Sequence, residues 1–150
     1  MIKPLQKIPK WIPFLFLLFS FAGFLDATYL ASKHYLGSPV TCSFLKGCEE
    51  VTSSQYAVVF GVSIAVFGAL YYLLLLILAI IYFDTKNIRV LTTAGYITLL
   101  GFISSMFLVY LQVFVIRALC LYCMMSAMIS TILFILGFFV IHISRQLNKE

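Results

Sequence analysis

Four long apolar runs constrain this chain more than any other feature. They cover approximately residues 12–30, 56–82, 91–116 and 119–141. About twenty consecutive apolar residues are enough for a helix to cross a bilayer. Because the runs are continuously apolar and do not alternate with period two, a helical bundle is favoured over a β-barrel. We predict an all-α membrane protein, a four-transmembrane-helix bundle with an extracytoplasmic loop between helices 1 and 2.

The rest of the chain leaves no room for a soluble domain. Of its 150 residues, 63% are hydrophobic and 10% are charged, whereas soluble domains have about 25% charged residues. The opening MIKPLQKIPKW, followed by an apolar run, has the features of a secretory signal, whose removal would delete the first helix. The run is longer than a typical signal core and no small-x-small site closes it, so we expect the helix to be retained. Residues 1–150 are thus predicted to form a single integral membrane domain.

The distribution of Lys and Arg predicts the orientation of the helices, since these residues are retained on the cytoplasmic side. One side carries Lys3, Lys7, Lys10, Lys86, Arg89, Arg145 and Lys149, and the other carries Lys33, Lys46 and Arg117. Both termini are therefore predicted to be cytoplasmic. The net charge of +5 is explained by contact with anionic membrane lipid, and no nucleic-acid partner is expected.

All four cysteines fall on the predicted extracytoplasmic side, where disulfides form and persist. Cys120 and Cys123 are three residues apart at the start of the fourth helix, close enough to form a bridge. Free N–H groups at the helix start would stabilise a thiolate there, as would Arg117 if it turned toward the pair. The alternatives are that Arg117 is an interfacial anchor and that the two cysteines are buried small residues.

The other two cysteines, Cys42 and Cys48, lie in the first loop, in the segment TCSFLKGCEEVTSS. This segment is too polar to span the membrane, and Gly37, Pro39 and Gly47 are typical of a loop. The two cysteines can close a small ring, or either can pair elsewhere. Two alternatives stay open, a structural staple of the loop and a zinc site built from all four cysteines.

These motifs together resemble the vitamin K epoxide reductase family in its bacterial branch. The resemblance is carried by the wide cysteine pair before the second span, Ser54 six residues after its second member, FGVSIAVFGALYY in the second span, and CLYCMMSA at the fourth. The order of the pairs is the specific feature. The DsbB proteins, which perform similar chemistry in four spans, have their close pair first and their wide pair second.

The resemblance implies a thiol oxidoreductase that passes electrons from a partner protein to a membrane quinone, either ubiquinone or menaquinone. Cys42 would accept electrons from the partner, Cys48 would pass them to Cys120, and Cys123 would face and reduce the quinone. Ser54 would lie near Cys123 and the quinone, although TSSQY is also typical of a helix N-cap. No thioredoxin-like domain follows the fourth span, so a separate periplasmic thioredoxin-like partner is expected.

The chain departs from the family pattern at three positions. Animal members have a quinone-binding tyrosine where this chain has Ala127, and a quinone-binding asparagine where it has Ile64. Both departures argue against epoxide chemistry and leave the orientation of the quinone unexplained. Many bacterial members have a proline where Ser63 stands, so a kink expected from the family is in doubt here.

Further candidates lie within the apolar runs. Several aromatic residues could line a flat quinone slot: Phe60, Phe67, Phe107, Tyr110 and Phe114. With 17% aromatic residues, most such side chains are expected to face lipid or neighbouring helices. Asp26 is an acid inside a span, which makes it a functional candidate, although a structural bond is favoured. Gln112 is interpreted as an interhelical hydrogen-bonding residue.

Two classes of function follow from the sequence. The first is a quinone-dependent thiol-disulfide oxidoreductase that supports disulfide bond formation outside the cytoplasm. The second is a non-enzymatic membrane scaffold whose disulfides are staples. In an oxidoreductase, the redox state of the cysteines follows the quinone supply. In a scaffold, both cysteine pairs stay oxidised.

Overall fold

The computed structural model describes residues 8–37 and 47–149, and its architecture is a bundle of long helices. The helices and strands are α1 (Trp11–Leu36), α2 (Cys48–Thr52), β1 (Val58–Val59), β2 (Val62–Ser63), α3 (Ile64–Thr85), α4 (Ile88–Tyr110) and α5 (Leu121–Lys149). A 3₁₀ turn covers Gln55–Ala57, and α4 continues into a π-helical turn over Leu111–Ile116. Four of the helices are long and apolar enough to cross a membrane. The predicted four-helix membrane bundle is confirmed.

The start of the second span differs from the sequence prediction. The helix begins at Ile64 and not near residue 56, because a short antiparallel hairpin pairs Val58 with Ser63 and Val59 with Val62. The turn of this hairpin has positive φ at Phe60 (53°) and Gly61 (79°), the geometry that suits a two-residue hairpin. The Ser63 side chain then caps α3 by accepting a hydrogen bond from the N–H of Ala65 at 3.3 Å. The apolar run therefore contains a surface hairpin before the span.

The bundle is assembled from two close helix pairs. α1 packs along α3, α4 packs along α5, and α1 and α5 join the two pairs. A buried core includes Phe16, Tyr72, Leu75, Leu91 and Leu133. Many other apolar side chains point outward, as lipid-facing residues do. Hydrophobicity in this chain therefore does not distinguish the core from the lipid-facing surface.

A polar contact fixes α3 against α5 inside the core. The Tyr72 hydroxyl donates to the Ser126 carbonyl at 2.9 Å and lies 2.9 Å from the hydroxyls of Ser126 and Ser130. Such interhelical hydrogen bonds specify register where apolar packing alone does not. Because Ser126 is one turn beyond Cys123, this contact also sets the position of the second cysteine of the close pair.

α4 and α5 approach each other closely where two glycines meet. A Cβ atom added at Gly137 would lie 2.9 Å from Gly95 Cα and 2.6 Å from Thr98 Oγ1. Backbone atoms cannot move aside cheaply, so only residues without a side chain fit there. Gly68 is different, since a Cβ there would meet Ala27 Cβ at 3.6 Å, an ordinary contact distance.

We predict that Gly137→Ala destabilises the bundle whereas Gly68→Ala does not. Overpacking typically costs about 1–3 kcal/mol, more than the roughly 0.5–1 kcal/mol that replacing glycine in a helix gains. Thermal unfolding in detergent should show a lower midpoint for Gly137→Ala and an unchanged or higher midpoint for Gly68→Ala. Equal midpoints for the two variants would contradict the close crossing at Gly95 and Gly137.

Candidate functional site

The close cysteine pair is positioned by an unusual end to α4. Its last residues form a π-helical turn, and Arg117 then adopts a left-handed conformation with φ of 57°. The N–H of Ala118 donates to the Gln112 carbonyl at 3.1 Å, which closes the wide turn. Such π-helical segments occur frequently at functional sites. The turn reverses the chain so that α5 starts at Leu121, after four intervening residues.

Cys120 occupies the N-cap position of α5. Its carbonyl accepts the first intrahelical hydrogen bond, from the N–H of Met124 at 3.0 Å. Its sulfur accepts hydrogen bonds from the N–H groups of Tyr122 and Cys123. These are the free donors that an N-cap side chain normally satisfies. A sulfur atom thus takes the place that Ser, Thr, Asp or Asn commonly fills.

The surroundings of Cys120 favour its thiolate. The Cys123 thiol donates a hydrogen bond to the Cys120 sulfur and, with the two N–H groups, lowers the pKa of Cys120 from 9.0 to about 7, although burial opposes this. The Arg117 side chain is exposed and is not among the groups that lower this pKa. The thiolate expected at the helix start is therefore stabilised by Cys123 and the backbone, and Arg117 does not contribute.

Gln112 contacts both members of the pair. Its side-chain oxygen accepts a hydrogen bond from the N–H of Cys120 at 3.2 Å, and its side chain also hydrogen-bonds to Cys123. Only 3% of the residue is exposed. The sequence interpretation of Gln112 as a hydrogen-bonding residue between helices agrees with this position, but the sequence did not indicate that its partners are the two cysteines.

Cys48 is brought against the close pair by α2. It is 1% exposed and shares one buried cluster with Cys120, Ala118, Leu30 and Val51. It takes part in a disulfide, whereas Cys120 and Cys123 are free thiols. The cluster therefore holds one oxidised and one reduced cysteine in a common apolar environment.

The preceding residue allows this approach. A Cβ atom on Gly47 would lie 2.6 Å from the carbonyl oxygen of Leu119 and 2.7 Å from its nitrogen. Any side chain there would push α2 away from the backbone that leads into Cys120. Gly47 is thus needed for close contact, whereas the sequence suggested only a loop residue. Cys42 lies outside the described residues.

Cys123 lines a cavity to which Cys120 does not contribute. The cavity has a volume of about 140 Å³, whereas a single water requires only about 10–15 Å³. It lies between α1, α3, α4 and α5, and residues of the 51–57 segment cover it. Cys123 and Ser54 both line this cavity, as do Gln112 and Ser126. Most of the remaining lining is apolar, as expected for a site that accepts an apolar ring.

Asp26 also lines this cavity. Its Oδ2 atom is buried and has no hydrogen-bond partner within residues 8–37 and 47–149. The carboxylate interacts electrostatically with Cys120 and Cys123. The sequence favoured a structural hydrogen bond from Asp26, but this oxygen forms none with the described residues. The carboxyl group is instead part of the surroundings of the cysteine pair.

The structure brings together some of the predicted site residues and separates others. Ser54 lines the cavity, and its hydroxyl donates to the Val51 carbonyl at 2.8 Å; it does not cap α3, since Ser63 does. The predicted aromatic residues do not line the cavity: Phe60, Phe67, Phe107, Tyr110 and Phe114. Phe60 is 98% exposed at the hairpin turn. Tyr56, which the sequence analysis did not select, is the aromatic residue in the lining.

Two departures from the family pattern fall on the same cavity. Ile64 and Ala127, which replace the asparagine and the tyrosine of animal members, both line it. The positions named by the resemblance therefore converge in space with Cys123. Neither side chain offers a hydrogen-bonding group, so polar contacts to a ligand would come from other lining residues.

Comparison with protein families identifies a match over most of the chain. The family model described as Vitamin K epoxide reductase family matches residues 14–138, which is most of the 150-residue chain. No curated protein matches the chain significantly. The matched range contains all four cysteines, the cavity and the greater part of every spanning helix.

The hydrogen bond from Cys123 generates a test by pH. Alkylation of Cys120 should rise with pH, reach half its maximum near pH 7 and level off above it, because the thiolate is the nucleophile. Cys123→Ala removes the largest contribution and should shift this midpoint upward, which lowers the rate at pH 7 by roughly fivefold per pKa unit. All chains in this test also carry Cys42→Ala and Cys48→Ala, so that Cys120 cannot form a disulfide with the first loop. Mass spectrometry of peptides alkylated with iodoacetamide measures the rate at Cys120 alone.

Cys123→Ser is the matched control. A serine hydroxyl still donates to the Cys120 sulfur, so its midpoint should stay near that of the unchanged protein. If the alanine and serine variants titrate identically, the Cys123 side chain is not the group that stabilises the thiolate.

Proposed function

The chain belongs to the vitamin K epoxide reductase family and is a multi-pass membrane oxidoreductase, and from this premise we propose its reaction. It is a quinone-dependent thiol-disulfide oxidoreductase that oxidises a separate thioredoxin-like protein and supports disulfide bond formation. The observation that carries the proposal is the placement of the close pair. Cys120 contacts the buried cluster that contains Cys48, whereas Cys123 lines the cavity. Cys123 also packs against that cluster, so the close pair connects the surroundings of Cys48 with the cavity, and Cys123 is the member of the pair that reaches the cavity.

Electrons enter this route through the first loop. A thiolate of the reduced partner attacks Cys42 of a Cys42–Cys48 disulfide, and the second partner thiol then releases Cys42, so the partner becomes a disulfide. Cys48 next attacks Cys120 of the oxidised close pair, and Cys123 leaves as a thiolate. Cys42 resolves the Cys48–Cys120 bond and restores the loop disulfide. Each exchange moves two electrons through a mixed disulfide.

The redox states of the described cysteines correspond to the end of this sequence. Cys48 is in a disulfide while Cys120 and Cys123 are thiols. The remaining step is oxidation of the close pair by the quinone. The Cys120–Cys123 bond forms, the quinone gains two electrons, and it becomes a hydroquinone. Of its two protons, one comes from the Cys123 thiol when Cys120 is a thiolate, and the cavity must admit the other.

The cavity suits a quinone ring as the acceptor. Its exposed surface is mainly apolar and includes Cys123, and its polar side chains include Ser54, Ser126, Gln112, Asp26 and His34. Ubiquinone and menaquinone share the ring chemistry that this step requires. Because Ile64 and Ala127 offer no hydrogen bond, we propose that reduction of a quinone, and not of an epoxide, is the reaction. Ser54 is proposed to contact the quinone.

The basic residues support a cytoplasmic location for both termini. Arg89 and Arg145 line one groove at the end of the bundle where α4 begins and α5 ends. Cys48 and Cys120 lie at the opposite end, where α5 begins. We therefore place the cysteines on the extracytoplasmic side of the plasma membrane, in contact with a periplasmic partner. The whole chain is proposed to act as one membrane domain.

The proposal predicts which disulfide accumulates when the last cysteine is removed. In Cys123→Ala the Cys120 thiolate can attack Cys48 of the Cys42–Cys48 disulfide, and Cys42 leaves as a thiolate. The Cys48–Cys120 bond that results has no thiol on α5 to resolve it, and no thiol faces the quinone. A Cys48–Cys120 disulfide should therefore accumulate, and quinone reduction should be lost. Nonreducing digestion followed by mass spectrometry identifies the crosslink between the first loop and α5.

Cys120→Ala is the control, because it leaves Cys48 without its acceptor and should give no such crosslink. If Cys123→Ala contains only Cys42–Cys48 bonds with Cys120 as a free thiol, the two pairs do not exchange electrons. That result would favour the scaffold with structural disulfides.

A further inference from the structure

The two ends of the Gln112 side chain have different partners. Its oxygen must face Cys120, because the backbone N–H there can only donate, at 3.2 Å. The NH₂ group is then the part of the amide that remains for the Cys123 sulfur, to which the side chain is hydrogen-bonded. With 3% of the residue exposed, water does not substitute for either contact. Gln112 is thus a fixed donor beside the cysteine that faces the cavity.

The need for this donor changes during the reaction. In the reduced pair, the Cys123 thiol donates its proton toward the Cys120 sulfur. Once Cys120 is bonded to Cys48, its sulfur is part of a disulfide and can no longer share a proton with Cys123. Cys123 is then a leaving thiolate at a site with an apolar lining. A buried charge without a hydrogen bond is costly.

The other groups around Cys123 do not supply the missing hydrogen bond. Asp26 faces the pair from α1, and its negative charge opposes a thiolate. The Ser126 hydroxyl lies 2.9 Å from the Tyr72 hydroxyl and is already hydrogen-bonded to it. The N–H of Cys123 points to the Cys120 sulfur. Gln112 remains as the side-chain donor that reaches Cys123 from α4.

We propose that Gln112 is a positioning residue whose NH₂ group holds the Cys123 thiolate while Cys120 is engaged in the mixed disulfide. This role rests on the proposed electron route. The same amide fixes the N–H of Cys120, so a single side chain sets the distance between the two sulfurs and the charge on the one that faces the quinone. The π-helical turn over Leu111–Ile116 is what aims Gln112 at both.

The test uses a chain in which Cys123 is the reporting thiol. In a Cys120→Ala background, the side chain of residue 120 can share no proton with Cys123, as in the mixed disulfide. The rate of Cys123 alkylation by iodoacetamide is measured against pH, with the loop disulfide left intact. Adding Gln112→Met should lower the rate at pH 8 by about tenfold or more and shift the profile to higher pH, because a hydrogen bond to a charged sulfur is lost.

The same substitution in a Cys123→Ala background separates this role from a structural one. Cys42→Ala and Cys48→Ala are added so that Cys120 stays a free thiol and becomes the reporting group. Its profile should change by less than about twofold, since its sulfur does not contact Gln112. Gln146→Met, at the far end of α5, is the matched control and should change neither profile. If Gln112→Met fails to fold, Gln112→Asn replaces it, because its shorter side chain withdraws the amide from the sulfur.

The outcomes are distinct from those that test the reaction itself. Equal shifts of the Cys120 and Cys123 profiles, or no shift of either, would overturn the role of Gln112. If the unchanged protein reduces no quinone, the proposed reaction is overturned. The alkylation profiles would still report on the Gln112 hydrogen bond in that case. Quinone reduction by the unchanged protein with an unshifted Cys123 profile would refute the Gln112 proposal alone.

Discussion

The unsatisfied N–H groups at the start of α5 are the constraint on which the site depends. A helix end near the hydrocarbon region must bond these groups within the protein, since water is scarce there and each unpaired group is costly. Here the Cys120 sulfur accepts two of them. The cap and the nucleophile are therefore one atom, so the need to begin a helix at the membrane also lowers the pKa of a thiol. Structural stability and reactivity have a common origin.

The helical spacing of the pair then divides its tasks. Three residues separate the sulfurs by less than one turn, near enough to form a bond, yet Cys123 lines the cavity and Cys120 does not. Cys120 contacts the cluster around Cys48, which Gly47 allows to approach, and Cys123 lines the cavity. An electron pair that enters from the aqueous side needs only to pass from one sulfur to the next to reach a site open to an apolar acceptor.

The sequence predicted the features that depend on local pattern and failed where three-dimensional packing decides. Four spans and a close pair at a helix start follow from apolar length and from CLYC. The hairpin before Ile64 was missed because Val58 and Val59 are apolar and extend the hydrophobic run. The predicted aromatic residues do not line the cavity. Because the helices are apolar on all sides, their sequence does not show which face points inward. The partners of Gln112 and the contact of Gly95 with Gly137 depend on how α4 meets α5, and a π-helical turn leaves no recognised sequence signal.

The measurement that tests the account most directly is anaerobic mixing of the fully reduced protein with a short-chain ubiquinone or menaquinone analogue. Absorbance reports hydroquinone formation, and rapid acid quenching with mass spectrometry reports the state of each cysteine. The account predicts one hydroquinone for each disulfide formed, and thus two for each fully reduced chain once the loop pair has also been oxidised through Cys120 and Cys123, with no hydroquinone from a variant that lacks Cys123. Formation of the disulfide without hydroquinone, or hydroquinone without Cys123, would contradict the claim that this pair delivers electrons to a quinone.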